Sequence, residues 1–308
     1  MALAPEIRAH LDKQAAAGLL PPWETPIATL RAMTQSRVHD AGPVEKICAI
    51  ENRFIPGPTA DLPIRIYRPT DESHRPALIF FHGGGWVLNF LDMYDAMLAR
   101  LANQSGATII SVAYQKAPEH PFPTPFDDCY ATLRWVIDHA EDFKIDPQRV
   151  GVAGDSAGGN LAAAVALKAR DENIHLAFQL LVYPCIDLNF ASDSYIERAT
   201  GFGLTARAME WFWGLYLQGR SHDENPYAVP VAAKSFSSVA PAIVITAHFD
   251  PLLSDGKKYN ELLQRDGVNT IYREFADMNH GFFINLGITP SATIAIDFAA
   301  QEIKKLTQ

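Results

Sequence analysis

Apolar positions between Lys46 and Leu306 fall into two rhythms that alternate along the chain. Short runs are apolar almost throughout: Ala77-Leu78-Ile79-Phe80-Phe81, then 108–113, 150–153, 178–183 and 242–247. Such runs read as strands covered on both faces. Between them lie longer stretches with apolar residues at helical spacing, over 94–104, 126–139, 161–170, 255–265 and 294–306. Strand signals begin near Lys46, with an alternating strand over 62–68 and a further strand over 270–275. Strand–helix alternation predicts an α/β fold with a mostly parallel central sheet and helices on both faces.

Two regions depart from this rhythm. Residues 1–42 predict two amphipathic helices. Leu3, Ile7 and Leu11 share one face before Gly18 and Pro21-Pro22, and Ile27, Leu30 and Met33 share another before Gly42-Pro43. Between Asp187 and Pro241 strand-like runs are lacking, and Trp211, Phe212, Trp213, Leu215, Tyr216 and Leu217 crowd one helix. A helix apolar all round must be covered or must cover something. The expectation is a sheet domain of residues 46–187 and 241–308, with residues 1–45 and 188–240 as its helical cap.

Composition narrows the classes. The 308 residues suffice for one large α/β domain with an appendage. With 26 Lys+Arg against 35 Asp+Glu, a net charge of -9 gives no electrostatic reason to seek nucleic acid or anionic membranes. Cys48, Cys129 and Cys185 lack metal-ligand spacing and read as reduced thiols, which with no visible secretory signal points to the cytoplasm. No apolar segment approaches the roughly 20 residues of a membrane span. A small-molecule substrate is the expected partner, with no metal and no cofactor. A homodimer is left open.

Candidate chemistry centres on Gly154-Asp155-Ser156-Ala157-Gly158, which fits the G-x-S-x-G nucleophile elbow between a strand and a helix. Glycines flank a serine on a strained turn because side chains there would collide. Asp250 and His280 each follow an expected strand, where open α/β sheets place their sites. Ser156, Asp250, His280 is the α/β-hydrolase order of nucleophile, acid and base. Imidazole takes a serine's proton near neutral pH, and a carboxylate behind it fixes the tautomer. Asp277, three residues before His280, is the rival acid. His82-Gly83-Gly84-Gly85 follows a buried strand and supplies backbone donors for an oxyanion. Gly83, Gly84 and Ala157 are the expected oxyanion hole, and His82 is given no proton-transfer role. Trp86, Asp155 and Trp211 are candidate pocket residues. Asp127-Asp128 reads as a helix-start cap, and His222-Asp223-Glu224 as a solvated loop.

His82-Gly83-Gly84-Gly85-Trp86, Gly154-Asp155-Ser156-Ala157-Gly158-Gly159, Asp250-Pro251-Leu252, His280-Gly281-Phe282 and Ala117-Pro118-Glu119-His120-Pro121 together resemble the hormone-sensitive-lipase-like (bacterial family IV) carboxylesterases. The resemblance covers nearly the whole chain. It implies a cofactor-free α/β hydrolase with a cap, acting through an acyl-enzyme on short- to medium-chain carboxylic esters. An amidase or arylformamidase on the same triad is the near alternative. Plant gibberellin receptors resemble this family without the catalytic histidine, which is present here. Two departures are Gln115-Lys116, where the family often has Arg-Leu, and Leu253-Ser254, where it often has Arg-Asp.

Overall fold

A computed structural model describes residues 2–219 and 221–308. Eight strands form one sheet: β1 (Ala49–Ile55), β2 (Leu62–Arg68), β3 (Arg75–Phe81), β4 (Thr108–Val112), β5 (Ile145–Asp155), β6 (Phe178–Val182), β7 (Ala242–Phe249) and β8 (Thr270–Asn279). Their spatial order is β1-β2-β4-β3-β5-β6-β7-β8. The β1–β2 and β2–β4 pairs are antiparallel. From β4 through β8 every pair is parallel, as the strand–helix alternation predicts.

Side-chain alternation along the strands divides the interior into two cores. In β3, Ile79 and Phe81 join the core that α4 (Thr124–Asp138) and α5 (Ala157–Asp171) cover. Leu78 and Phe80 join the opposite core, under α3 (Asp95–Ser105) and the C-terminal α9 (Pro290–Leu306). At the sheet edge, β1 keeps an alternating pattern and leaves Phe54 exposed.

The N-terminal segment forms α1 (Pro5–Ala16) and α2 (Ile27–Gln35), and buries Ile7 and Leu30. Between β6 and β7 lie α6 (Asp193–Glu197) and α7 (Ala206–Leu217), without a strand. The aromatic helix α7 is not covered all round: Met209, Phe212, Trp213 and Tyr216 are buried, while Glu210 and Gly214 face solvent. Arg207 of α7 lies over the Trp23 ring at 4.2 Å, joining the two non-sheet segments. Arg31 of α2 donates to both Glu119 carboxylate oxygens (2.8 Å each) and to the carbonyls of Val87 and Ala117. That clamp fastens α2 beside the loop after β3.

Two boundaries differ from expectation in ways that bear on the site. Helix α5 begins at Ala157, four residues before the expected start at Leu161. Glycine disfavours helix, so Gly158-Gly159 reads as non-helical. Clearance overrides propensity here, because a Cβ on Gly158 would overlap the Phe81 carbonyl oxygen. Strand β8 runs on to Asn279, which delivers His280 to the sheet edge. The helix α8 (Leu253–Arg265) follows β7. Among the described residues no helix is long and apolar enough to cross a membrane.

Candidate active site

Ser156, between the end of β5 and the start of α5, has φ 55° and ψ -120°, a left-handed conformation that costs a non-glycine residue free energy. The Ser156 amide donates to Val182 O at 2.8 Å, which holds the turn in place. At 3.0 Å from the Ser156 hydroxyl lies His280 Nε2. The other ring nitrogen, Nδ1, lies 2.7 Å from Asp250 Oδ2. Asp250 is fully buried, and its second oxygen accepts the Leu252 amide at 2.8 Å. With the Asp250 carboxylate as acceptor, the imidazole proton resides on Nδ1 and Nε2 is free to accept from the serine. Asp277 is exposed on β8, and its carbonyl accepts the Ala4 amide. Among the described residues no hydrogen bond joins Asp277 to His280.

The loop after β3 departs from the expected donor set. Gly83 N–H already donates to Asp155 Oδ1 (2.8 Å) and approaches Tyr94 Oη (3.0 Å), so it has no bond left for an oxyanion. This corrects the expectation for Gly83. Gly84 (φ 105°) and Gly85 (φ 61°) then turn left-handed. Their amides donate to no protein group among the described residues, and both residues line the cavity beside Ser156. Ala157 is the first residue of α5, so its N–H has no partner within the helix. Gly84, Gly85 and Ala157 are therefore the available donors.

Asp155 does line the cavity, but its carboxylate is engaged with the loop. Tyr94 Oη lies 3.3 Å from Asp155 Oδ2 and accepts from Asn89 Nδ2. Burial pushes the Asp155 carboxyl up to about 6, against the opposing pull of the Gly83 hydrogen bond. His82 is wholly buried and stacks on Tyr114 at 4.4 Å, and its Nδ1 donates to the Gly83 carbonyl at 2.8 Å. Burial pushes its pKa down to about 3, so it stays neutral and structural.

Trp86 is a second correction. It follows the oxyanion loop in sequence but lies wholly buried beneath α7, stacked on Tyr216 at 4.2 Å and packed against Trp213. Trp211 does not reach the cavity either. Met209 and Phe212, one turn apart, occupy the α7 face that does. The cavity has a volume of about 310 Å³. Sequence reasoning missed its other walls: His10 and Gln14 from α1, and Thr34 and Arg37 from α2 and its exit. No motif in the sequence marks them.

Asp128 is not a cap. It is buried, and its carboxylate accepts the Gln115 backbone amide at 2.8 Å and approaches the Gln115 side-chain amide. A neutral amide thus stands where the family often has an arginine. His222-Asp223-Glu224 lies in a loop, and no His/Cys/Asp/Glu group among the described residues could hold a metal ion.

The sequence profile of the α/β-hydrolase fold family matches residues 78–284. This chain belongs to that family. The hydrolase is 39% identical to the carboxylic ester hydrolase LipN of Mycobacterium tuberculosis, over 74% of this chain and 62% of that relative, so it spans somewhat under two thirds of LipN's length. It is 31% identical to an arylesterase of Saccharolobus solfataricus, over 99% of this chain and 100% of the relative. Among solved structures, the hyperthermophilic esterase of Pyrobaculum calidifontis superposes with a TM-score of 0.94 at 36% identity, covering 99% of each chain. The kinship with the hormone-sensitive-lipase-like carboxylesterases drawn from the motifs stands.

Proposed function

We propose that this hydrolase is a serine carboxylesterase working through an acyl-enzyme. The observation that carries the reading is the Ser156–His280–Asp250 chain, with contacts of 3.0 and 2.7 Å, at the floor of a cavity. His280 Nε2 takes the Ser156 proton as Oγ attacks the ester carbonyl. Asp250 stabilises the imidazolium that forms. The tetrahedral oxyanion is held by the amides of Gly84, Gly85 and Ala157, at the positive end of α5. Collapse of the intermediate expels the alkoxide, which takes its proton from His280. Water then enters, gives a proton to His280 and attacks the acyl-enzyme, and the acid leaves as Ser156 recovers its proton.

Residues 1–45 and 188–240 act as the cap, since α1, α2 and α7 each supply cavity walls. At about 310 Å³ the cavity is at the small end of ligand sites. Acyl groups of roughly four to eight carbons should fit, each buried methylene adding about 0.8 kcal/mol until the wall is met. The enzyme works in the cytoplasm, a reading supported by its three unpaired cysteines, Cys48, Cys129 and Cys185. A homodimer belongs to the reading because β8 is an edge strand; a monomer mass from light scattering would remove it.

The test is a series of p-nitrophenyl esters from acetate to palmitate, with tributyrin, triolein emulsion and matched anilides. Butyrate to octanoate should lead in kcat/KM, with palmitate and triolein far behind and no rate jump above the solubility limit. Leading rates on anilides would make the chain an amidase. Preference for triolein emulsion would make it a lipase.

A further inference from the structure

The cavity walls differ in chemistry. Leu88, Met209, Phe212 and Ile284 supply apolar lining from outside the N-terminal segment. The N-terminal segment adds a polar wall, from His10, Gln14, Thr34, Arg37 and Asp40, beside the apolar Ile7 and Leu11. Resting on the esterase reading above, we propose that this polar wall selects esters whose larger substituent carries a hydrogen-bond acceptor oxygen, a carbonyl or carboxylate, a few atoms from the scissile bond.

His10 and Gln14 lie one turn apart on α1, with 2.6 Å between Gln14 Nε2 and His10 Nε2. The amide nitrogen can only donate, so the ring accepts at Nε2 and carries its proton on Nδ1. Burial lowers the His10 pKa; Arg37, Lys13 and His39 lower it further and Asp40 opposes them. The ring is therefore neutral near pH 7 and offers one N–H. Arg37, just past the end of α2, lines the same cavity. Among the described residues its only side-chain hydrogen bond runs from Nε to Asp40 Oδ2 at 3.3 Å. Both terminal guanidinium nitrogens thus lack a protein acceptor. Its side chain is 46% exposed, which places this wall toward the mouth.

Two uncommitted donors on one wall favour an oxygen-bearing tail over an alkyl tail of the same length. An alkyl tail strips water from them and returns no hydrogen bond. A tail oxygen returns the bond, and sites built around unpaired polar groups discriminate by that partner more than by one methylene. Asp40 offsets the Arg37 charge, so a neutral carbonyl is as suited as a carboxylate.

The experiment compares length-matched substrates on the intact enzyme. On the acyl side these are the p-nitrophenyl esters of hexanoate, 5-oxohexanoate and glutarate (the monoester). On the alcohol side they are pentyl acetate and 4-oxopentyl acetate, followed by pH-stat. In at least one series the oxygen-bearing substrate should exceed its alkyl match about tenfold in kcat/KM, mainly through KM. Arg37→Leu and His10→Leu should each cut that ratio about fivefold or more, with melting temperatures near that of the wild type. A larger gain for the glutarate than for the ketone assigns the contact to the Arg37 charge, and equal gains assign it to hydrogen bonding; both uphold the proposal. A ratio within twofold of one in both series overturns it. So does a ratio that neither folded variant changes. Failure to hydrolyse any ester would overturn the esterase reading instead.

Discussion

Ser156, Asp250 and His280 stand at the ends of β5, β7 and β8, each hydrogen-bonded into the parallel half of the sheet. Ile7, Leu11, Met209 and Phe212 reach the same cavity from helices held by side-chain contacts such as Arg207 on Trp23 and Arg31 on Glu119. The first set is positioned by backbone pairing and tight clearances, which tolerate almost no change. The second is positioned by packing, which leaves its identity free to follow the substrate. The difference teaches where chemistry and where selectivity should reside: in the strand ends and in the roof, respectively.

The largest effect is expected at the acid on the strand end. Asp250→Asn should lower kcat by on the order of 10³–10⁴, because the imidazole loses its tautomer and counter-charge. Asp277→Asn, on the exposed side of β8, should change it less than about twofold. Steady-state kinetics on one p-nitrophenyl ester decides between the two carboxylates.

The next effect is on stability. Gly158→Ala places a methyl group against the Phe81 carbonyl oxygen and should cost about 3 kcal/mol or more. Denaturant titration reads the loss. A cost below about 1 kcal/mol would mean that the framework is as pliant as the roof.

Asp155 makes the strand-end framework sensitive to pH. Its folded pKa is raised by burial to about 6, above the roughly 3.9 of an unfolded aspartate. Between those values the folded protein binds more protons than the unfolded one, so this group's contribution falls as pH rises through the window and levels off above it. Asp155→Asn should remove that decline, making the slope of stability against pH more positive between pH 4 and 6 in chemical denaturation. A wild-type profile unaffected by the substitution would place the carboxylate's proton elsewhere.

The smallest expected effect is in the roof. Gly214, on the solvent side of α7, meets nothing within 4 Å when a Cβ is added. Gly214→Ala should raise stability by about 0.5–1 kcal/mol through helix propensity alone. A destabilisation there would show α7 to be as tightly constrained as α5.

The same division explains what was legible in the chain. The order Ser156, Asp250, His280 could be read because each follows a stretch with a strand signal, apolar throughout before Ser156 and Asp250 and mixed before His280. The donor set was off by one glycine. Which amide of the His82-Gly83-Gly84-Gly85 run stays free depends on Asp155 taking the first, a contact between residues 72 positions apart in sequence. Trp86 adjoins the loop in sequence, yet stacks on Tyr216 from the distant helix α7. His10 and Arg37 carry no motif; they reach the cavity only because α1 and α2 dock on the sheet domain. Local pattern exposes what backbone pairing builds, whereas residues placed by tertiary packing leave no local mark.

The central claim is that Ser156 is the activated nucleophile of this site. Treatment with paraoxon, followed by intact-mass and peptide mass spectrometry, tests it directly. One diethylphosphoryl adduct per chain is expected, on Ser156, formed in step with loss of esterase activity and absent in Ser156→Ala. An adduct on another residue that tracks the loss of activity, or full activity in Ser156→Ala, would contradict it.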